Sequence, residues 1–229
     1  MNKILPTHIG FIVDGNRRWA KEHGLPAYEG HLAGYNAMQD VLLETLNQGV
    51  SYASAYVFST ENWQRSEDEV RHIMKLLRKI LKSDLKVFIE NEVRLRIIGT
   101  EKGLDKDILE LMKAAEQRTE HFKGKELLLC LNYGGQLEIA DAKKKIVQSG
   151  VVAEQVTPEL IGQYIYAPEV PPCDLIVRTS GEQRISNFML WRAAYSEFLF
   201  LDKNWPEMTK EDVTVILDEY ARRGRRFGG

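Results

Sequence analysis

His8-Ile-Gly-Phe-Ile-Val-Asp14-Gly15-Asn16-Arg17-Arg18-Trp19-Ala20 begins as an apolar, strand-like run and breaks off in an acid, a glycine, an asparagine and two arginines. The polar residues read as a strand-to-helix turn. Glycine lets backbone amides come close to a ligand, asparagine suits a helix cap, and guanidinium groups fork around oxyanions. With the Asp14 carboxylate, these residue types suit a metal-bound oxyanion such as a diphosphate.

The arrangement recurs along the chain. Residues 51–58 read as a strand delivering Ser59, Thr60, Glu61, Asn62, Trp63 and Arg65. Residues 126–131 deliver Asn132-Tyr133-Gly134-Gly135, and residues 173–177 deliver Arg178-Thr-Ser-Gly-Glu-Gln-Arg184-Ile185-Ser186-Asn187. In an open parallel sheet all strand C-termini lie on one rim, so four polar clusters that each follow a strand should converge on one pocket.

Composition permits that architecture. The chain has 229 residues, 44% of them hydrophobic, enough to bury the core of a single α/β domain spanning residues 1–229. A formal net charge of −2 and a pI near 6.3 argue against a nucleic-acid binder and mark the arginines as locally placed. Cys130 and Cys173 both fall inside expected strands and match no zinc spacing, so they read as buried free thiols of a reducing compartment. No apolar run approaches 18 residues and no signal-peptide pattern opens the chain. The expectation is a cytoplasmic protein that at most rests on a membrane surface.

Periodicity gives alternating strands and helices. Met38, Val41, Leu42, Thr45 and Leu46 mark a helix that Gly49 ends. Val70, Ile73, Met74, Leu77, Ile80, Leu81, Leu85 and Phe88 predict one long helix over residues 67–91, followed by a strand at 93–98. Helices are expected at 104–119, 136–148 and around Val213 to Tyr220, with a rigid proline-rich loop at 167–172. Six strands with intervening helices imply right-handed crossovers and a mainly parallel sheet. The chain has no Walker A loop, dinucleotide fingerprint or aspartate-rich repeat, so an oxyanion site must rely on arginines and one or two carboxylates.

Asp14-Gly-Asn-Arg-Arg-Trp-Ala20, Gly30-His31-Leu-Ala-Gly34, Tyr56-Val-Phe-Ser-Thr-Glu-Asn-Trp63 with Arg65, Arg94-Leu-Arg-Ile-Ile-Gly99, Asn132-Tyr-Gly-Gly135 and Arg178 to Phe188 with Trp191, Glu197 and Trp205-Pro206 stand in order across almost the whole chain. In this set the sequence resembles the cis-prenyltransferases. The resemblance implies a six-stranded sheet flanked by helices, with a hydrophobic tunnel in which the helix over 67–91 lines the path of the product. It implies condensation of isopentenyl diphosphate onto an allylic diphosphate such as farnesyl diphosphate, each new double bond being Z. Undecaprenyl diphosphate, a cell-wall glycan carrier precursor, would be the product.

By the same resemblance the allylic diphosphate lies on Gly15, Asn16, Arg17 and Arg18, with Trp19 and His31 beside it. Isopentenyl diphosphate is clamped by Arg178, Arg184, Ile185 and Ser186, with Glu182 holding the arginines. Asp14 binds Mg²⁺ and assists departure of the leaving group, with Glu197 as a second metal-side carboxylate. Asn62 is catalytic, in a region shared with Ser59, Thr60, Glu61, Trp63 and Arg65, and it orients a diphosphate or a water better than it acts as a base. Arg226 and Gly228 reach the partner's isopentenyl diphosphate across a homodimer. Three positions depart from the family pattern: Ala27 stands where many relatives have arginine, Gln183 replaces a histidine found in some, and Val57 takes the place of a common alanine. Two other readings use much the same residues: a transferase with a short product or another acceptor, and a non-catalytic partner subunit.

Overall fold

A computed structural model describes residues 4–223 of the chain. β1 (His8–Ile12), β2 (Tyr52–Ser59), β3 (Arg94–Ile98), β4 (Glu126–Tyr133), β5 (Leu175–Arg178) and β6 (Glu197–Phe200) form one sheet in the order β3-β4-β2-β1-β5-β6. Every neighbouring pair is parallel, as the crossover argument requires. The sixth strand, which periodicity does not locate, is the short edge strand β6.

The helices are α1 (Asn16–Glu22), α2 (Ala27–Asn47), α3 (Glu67–Lys79), α4 (Leu85–Glu90), α5 (Lys106–Thr119), α6 (Gly135–Gln148), α7 (Pro158–Tyr164) and α8 (Lys210–Arg223). Alternation along β4 shows how the sheet is covered on both faces. Leu127, Leu129 and Leu131 join a core with Val41 and Leu42 of α2, Leu77 of α3 and Leu217 of α8. Leu128 and Cys130 point the other way, into a second core with Phe188, Met189 and Ala193. Both cysteines are buried and free, and burial pushes the Cys173 thiol up to about 12.

Two elements differ from the sequence expectation. The helix over 67–91 is not continuous: a π-helical turn, Ile80–Asp84, separates α3 from α4. The apolar series gives no sign of that turn, since Leu81 and Leu85 keep the four-residue step of a regular helix. The second difference is at α1, where Asn16 does not cap the helix. Gly15 occupies the cap with φ +104°, and a Cβ at Gly15 would lie 2.5 Å from Asn204 Oδ1, so only glycine fits.

From β1 the chain steps out to β2, β3 and β4 on one side and then crosses to β5 on the other. The loops leaving β1 and β5 therefore diverge, and a crevice opens at their C-terminal ends.

Candidate active site

The crevice is organised by Asp14, just past the end of β1. Its backbone N–H donates to Thr179 Oγ1 (3.1 Å), its carbonyl accepts from the Thr179 hydroxyl (2.6 Å) and from the Trp205 N–H (3.0 Å), and its Oδ1 accepts from the Gly15 N–H (2.8 Å). Oδ2 accepts from Arg178 Nη2 at 2.7 Å. The Arg178 side chain is only 5% exposed, whereas that of Asp14 is 36% exposed and so reachable by a ligand.

Arg178 also donates from Nη1 to the Arg184 carbonyl (2.5 Å) and Ser186 Oγ (2.8 Å). The loop it holds is strained, with positive φ at Ser180, Ser186, Asn187 and Met189. Asn187 anchors it from the other side, donating to Glu61 (2.9 Å) and accepting from the Gln136 N–H (2.8 Å). Partial burial would raise the Glu61 carboxyl, but hydrogen bonds from Asn187, its own backbone, Ser59 and Thr60 outweigh it and hold the group below its ordinary value.

Arg184 reaches Glu182 at 2.5 Å, and Arg18 reaches the same carboxylate at 3.0 Å. These two hydrogen bonds, Arg184 first, hold the Glu182 carboxyl below its usual range. Glu182 holds Arg184, as the resemblance implies, but not Arg178, which pairs instead with Asp14, brought by folding from 164 residues away.

Two cavities adjoin here. The larger, about 870 Å³, opens among Gly15, Asn16, Arg17 and Arg18, passes His31, and continues between apolar residues of α2 and α3 such as Met38, Leu76 and Ile80. The smaller, about 510 Å³, is lined by Ser59, Glu61, Arg178, Ser186 and Asn187. They share Asp14, Asn62 and Arg65. The first amides of an α-helix have no intrahelical partner, and those of α1 belong to residues that line the larger cavity.

The structure thus brings Asp14, Gly15, Asn16, Arg17, Arg18, His31, Ser59, Glu61, Asn62, Arg65, Arg178 and Ser186 to one place. Asn62 Oδ1 accepts from the Ser59 N–H (3.1 Å), which fixes the amide between the cavities. Trp63 lies outside the lining: its indole N–H is spent on Asn132 Oδ1 (2.8 Å) and its ring packs edge-on against Phe58. Trp19 stacks on His23 instead, Ile185 packs into the second core, and the Thr60 hydroxyl lies against Gly134.

Glu197 is displaced most. It begins β6 opposite Leu175, three residues before Arg178, and pairs with Arg223 at 3.5 Å. At about 3.3 Å per residue it sits towards the other rim of the sheet, so within one chain Glu197 and Asp14 do not share an ion. Arg226 and Gly228 lie outside the described residues.

Glu69 is a member of the site that sequence motifs do not single out. Its carboxylate accepts from His31 Nε2 (3.2 Å) and Arg65 Nη1 (3.0 Å), with Arg17 at 3.7 Å. The signal is an acid in the first turn of α3, four residues after Arg65. Burial lowers the His31 pKa, against the pull of the Glu69 hydrogen bond, so the imidazole is a neutral donor near pH 7.

Comparison with known proteins agrees with this geometry. The family model described as putative undecaprenyl diphosphate synthase matches residues 12–228. An isoprenyl transferase of Thermotoga maritima is 40% identical over 227 residues, covering 98% of this chain and 97% of that protein. A trans,polycis-polyprenyl diphosphate synthase of Thermobifida fusca, described as (2Z,6E)-farnesyl diphosphate specific, is 42% identical over 231 residues, covering 99% and 82%. The crystal structure of lavandulyl diphosphate synthase from Lavandula x intermedia in complex with dimethylallyl diphosphate superposes with a TM-score of 0.95 at 29% identity, covering all of both chains. A single parallel α/β sheet with this rim, matched by model and relatives over almost its whole length, identifies the chain as a member of the undecaprenyl diphosphate synthase family of cis-prenyltransferases.

Proposed function

We propose that the protein condenses isopentenyl diphosphate, head to tail and with Z geometry, onto an allylic diphosphate, farnesyl diphosphate being the primer, to build a polyprenyl diphosphate of undecaprenyl class. The observation that carries this reading is the meeting of two cavities at Asp14, Asn62 and Arg65. A reaction that joins two diphosphate esters needs two anion sites in contact. It also needs apolar room behind only one of them, and the larger cavity has that room.

The allylic carbon–oxygen bond breaks, a carbon–carbon bond to the isopentenyl unit forms, and a proton departs. Arg17, Arg18 and the amides of α1 take the allylic diphosphate, whose growing negative charge they meet already oriented. Ser186, Arg178 and Arg184 take isopentenyl diphosphate in the smaller cavity. Asn62, held by Ser59, orients a phosphate oxygen or a water between the two. The departing proton passes to water or to the released diphosphate, and Glu61, on the wall of the smaller cavity, stays ionised.

The donor set suits Mg²⁺: a hard, reachable Asp14 carboxylate, in a chain whose described residues hold no cluster of three metal-ligating side chains. That matches an ion held by one carboxylate together with substrate phosphates and water. Bound there, Mg²⁺ supplies Lewis-acid neutralisation of the leaving diphosphate.

The reading extends to a homodimer in which Arg226 and Gly228 serve the partner's isopentenyl site. Its support is that α8 ends at the start of β6, where Arg223 meets Glu197 and the Phe198 carbonyl, away from this chain's own crevice. None of the described helices is long and apolar enough to cross a membrane. Release of so apolar a product calls for contact with a membrane surface. The test is incubation of the purified chain with farnesyl diphosphate, labelled isopentenyl diphosphate and Mg²⁺. A ladder of Z-polyprenyl diphosphates is expected, and no product with any allylic primer would favour a non-catalytic partner subunit.

A further inference from the structure

The larger cavity has an unusual wall. Along α2, His31, Tyr35 and Met38 fall on one helical stripe facing it, and along α3 the lining runs from Ile73 through Leu77 to Ile80. There the lining stops, at the π-helical turn. In a regular α-helix Asp84 would continue the row of Ile80, four residues on. The wider turn takes it out of that row, and its carboxylate reaches the Tyr35 hydroxyl.

The Tyr35 hydroxyl donates to Asp84 Oδ2 at 2.8 Å. Lys79 backs the pair, its ammonium 3.8 Å from Asp84 Oδ2 and 5.7 Å from the centre of the Tyr35 ring. Tyr35 is almost wholly buried and lines the cavity, while its hydroxyl is tied to a charged pair. A hydrogen bond to a carboxylate is stronger than one between neutral groups, and it loses strength steeply if the donor is pulled away. π-helical turns are frequent at functional sites.

Resting on the transferase reading, we propose that the Tyr35–Asp84 bridge is the stop that sets how long a prenyl chain the enzyme makes. A growing chain that enters past Gly15 to Arg18 extends between α2 and α3 until its end meets the Tyr35 ring. One more C5 unit must displace that ring, which breaks the bond to Asp84 and leaves a phenol and a carboxylate without each other. Val57 narrows the same space from the sheet side: the β2–β4 register slips between Tyr56 and Phe58, and this bulge turns Val57 into the lining. Val57 fixes the width, and Tyr35 fixes the length.

The experiment compares product ladders, from farnesyl and isopentenyl diphosphates with Mg²⁺, of the wild type and the variants Tyr35→Ala, Tyr35→Phe, Asp84→Ala and Asp84→Asn. Tyr35→Ala should shift the longest product upward by at least one C5 unit. Tyr35→Phe and Asp84→Ala, which keep the ring but release it, should broaden the ladder towards longer products. Asp84→Asn keeps an acceptor and should stay close to wild type. Asp84 is outside the lining, so its variants test the stop without touching the apolar path. An active wild type whose ladder is unchanged or shortened in both Tyr35→Phe and Asp84→Ala overturns the proposal. An inactive wild type instead overturns the transferase reading beneath it.

Discussion

Arg178 Nη2 donates to Asp14 Oδ2 across 2.7 Å, joining the last residue of β5 to the residue that leaves β1 at the centre of the crevice. The same guanidinium holds the Arg184 carbonyl and Ser186 Oγ, so one buried side chain fixes both the acid and the neighbouring loop. Its Nε is buried without a partner among the described residues. Arg178 therefore positions both the acid and the loop.

That division of labour separates two conservative changes. Arg184 is 59% exposed and, among the described residues, pairs with Glu182 on its own loop, so Arg184→Lys should raise KM for isopentenyl diphosphate by roughly tenfold, with kcat and thermal stability little changed. Lysine at 178 cannot hold Asp14, Arg184 and Ser186 together. Arg178→Lys should lower kcat as well as raise KM, and should lower Tm. Steady-state kinetics in both substrates check this, and equal effects of both changes on both substrates would contradict the assignment.

Acid stability should depend on His8. It is buried, its Nδ1 faces the Pro171 carbonyl (3.0 Å) and its Nε2 faces Ser54 Oγ (2.6 Å). A carbonyl only accepts, so Nδ1 carries the proton and Nε2 accepts from the serine. Burial lowers its pKa from 6.5 to about 4. A depressed histidine pKa means that the unfolded chain binds a proton before the native one does. His8 should thus cost nothing above pH 6.5 and remove about 3 kcal/mol of stability as the pH falls from 6.5 to about 4. Urea midpoints across that range should fall more steeply for the wild type than for His8→Gln. Parallel acid limbs, or an NMR pKa near 6.5, would contradict this.

Deletion of residues 226–229 should leave a folded protein of severely reduced turnover. Mixed under subunit exchange with Asp14→Ala protein, it should recover part of the activity, because one hybrid site then has an intact Asp14 and an intact partner tail. Exchange without recovery would mean that the tail does not act across a dimer.

Much of this was legible in the residue order. Strands β1 to β5, and the convergence of the polar ends of β1, β2 and β5, follow from apolar runs cut short by turn chemistry, a local signal; the Asn132 to Gly135 cluster after β4 lines neither cavity, because Asn132 is spent on Trp63, Thr100 and Lys102. The π-helical turn is not legible in the sequence: Leu81 and Leu85 keep helical spacing across it, so the apolar period runs straight through. Long-range pairing was not legible: Asp14 with Arg178, Glu69 with His31 and Tyr35 with Asp84 are each set by how helices and strands come together. Trp63 was misplaced for a related reason, since an aromatic beside a polar cluster looks like a ligand contact until Asn132 claims its N–H. Glu197 went astray because short β6 carries no periodic signal to show which rim its first residue occupies.

If Asp14 lies where charge develops on a departing diphosphate, the turnover of Asp14→Asn must show it. Asparagine preserves the size of the side chain and one acceptor for Arg178 while removing the charge. The expected result is a folded variant, somewhat less stable because Arg178 loses its counter-charge, with kcat lower by about 10²–10³, and a wild-type rate that vanishes in EDTA and returns with Mg²⁺. Near wild-type turnover of Asp14→Asn, or wild-type turnover that persists in EDTA, would contradict it.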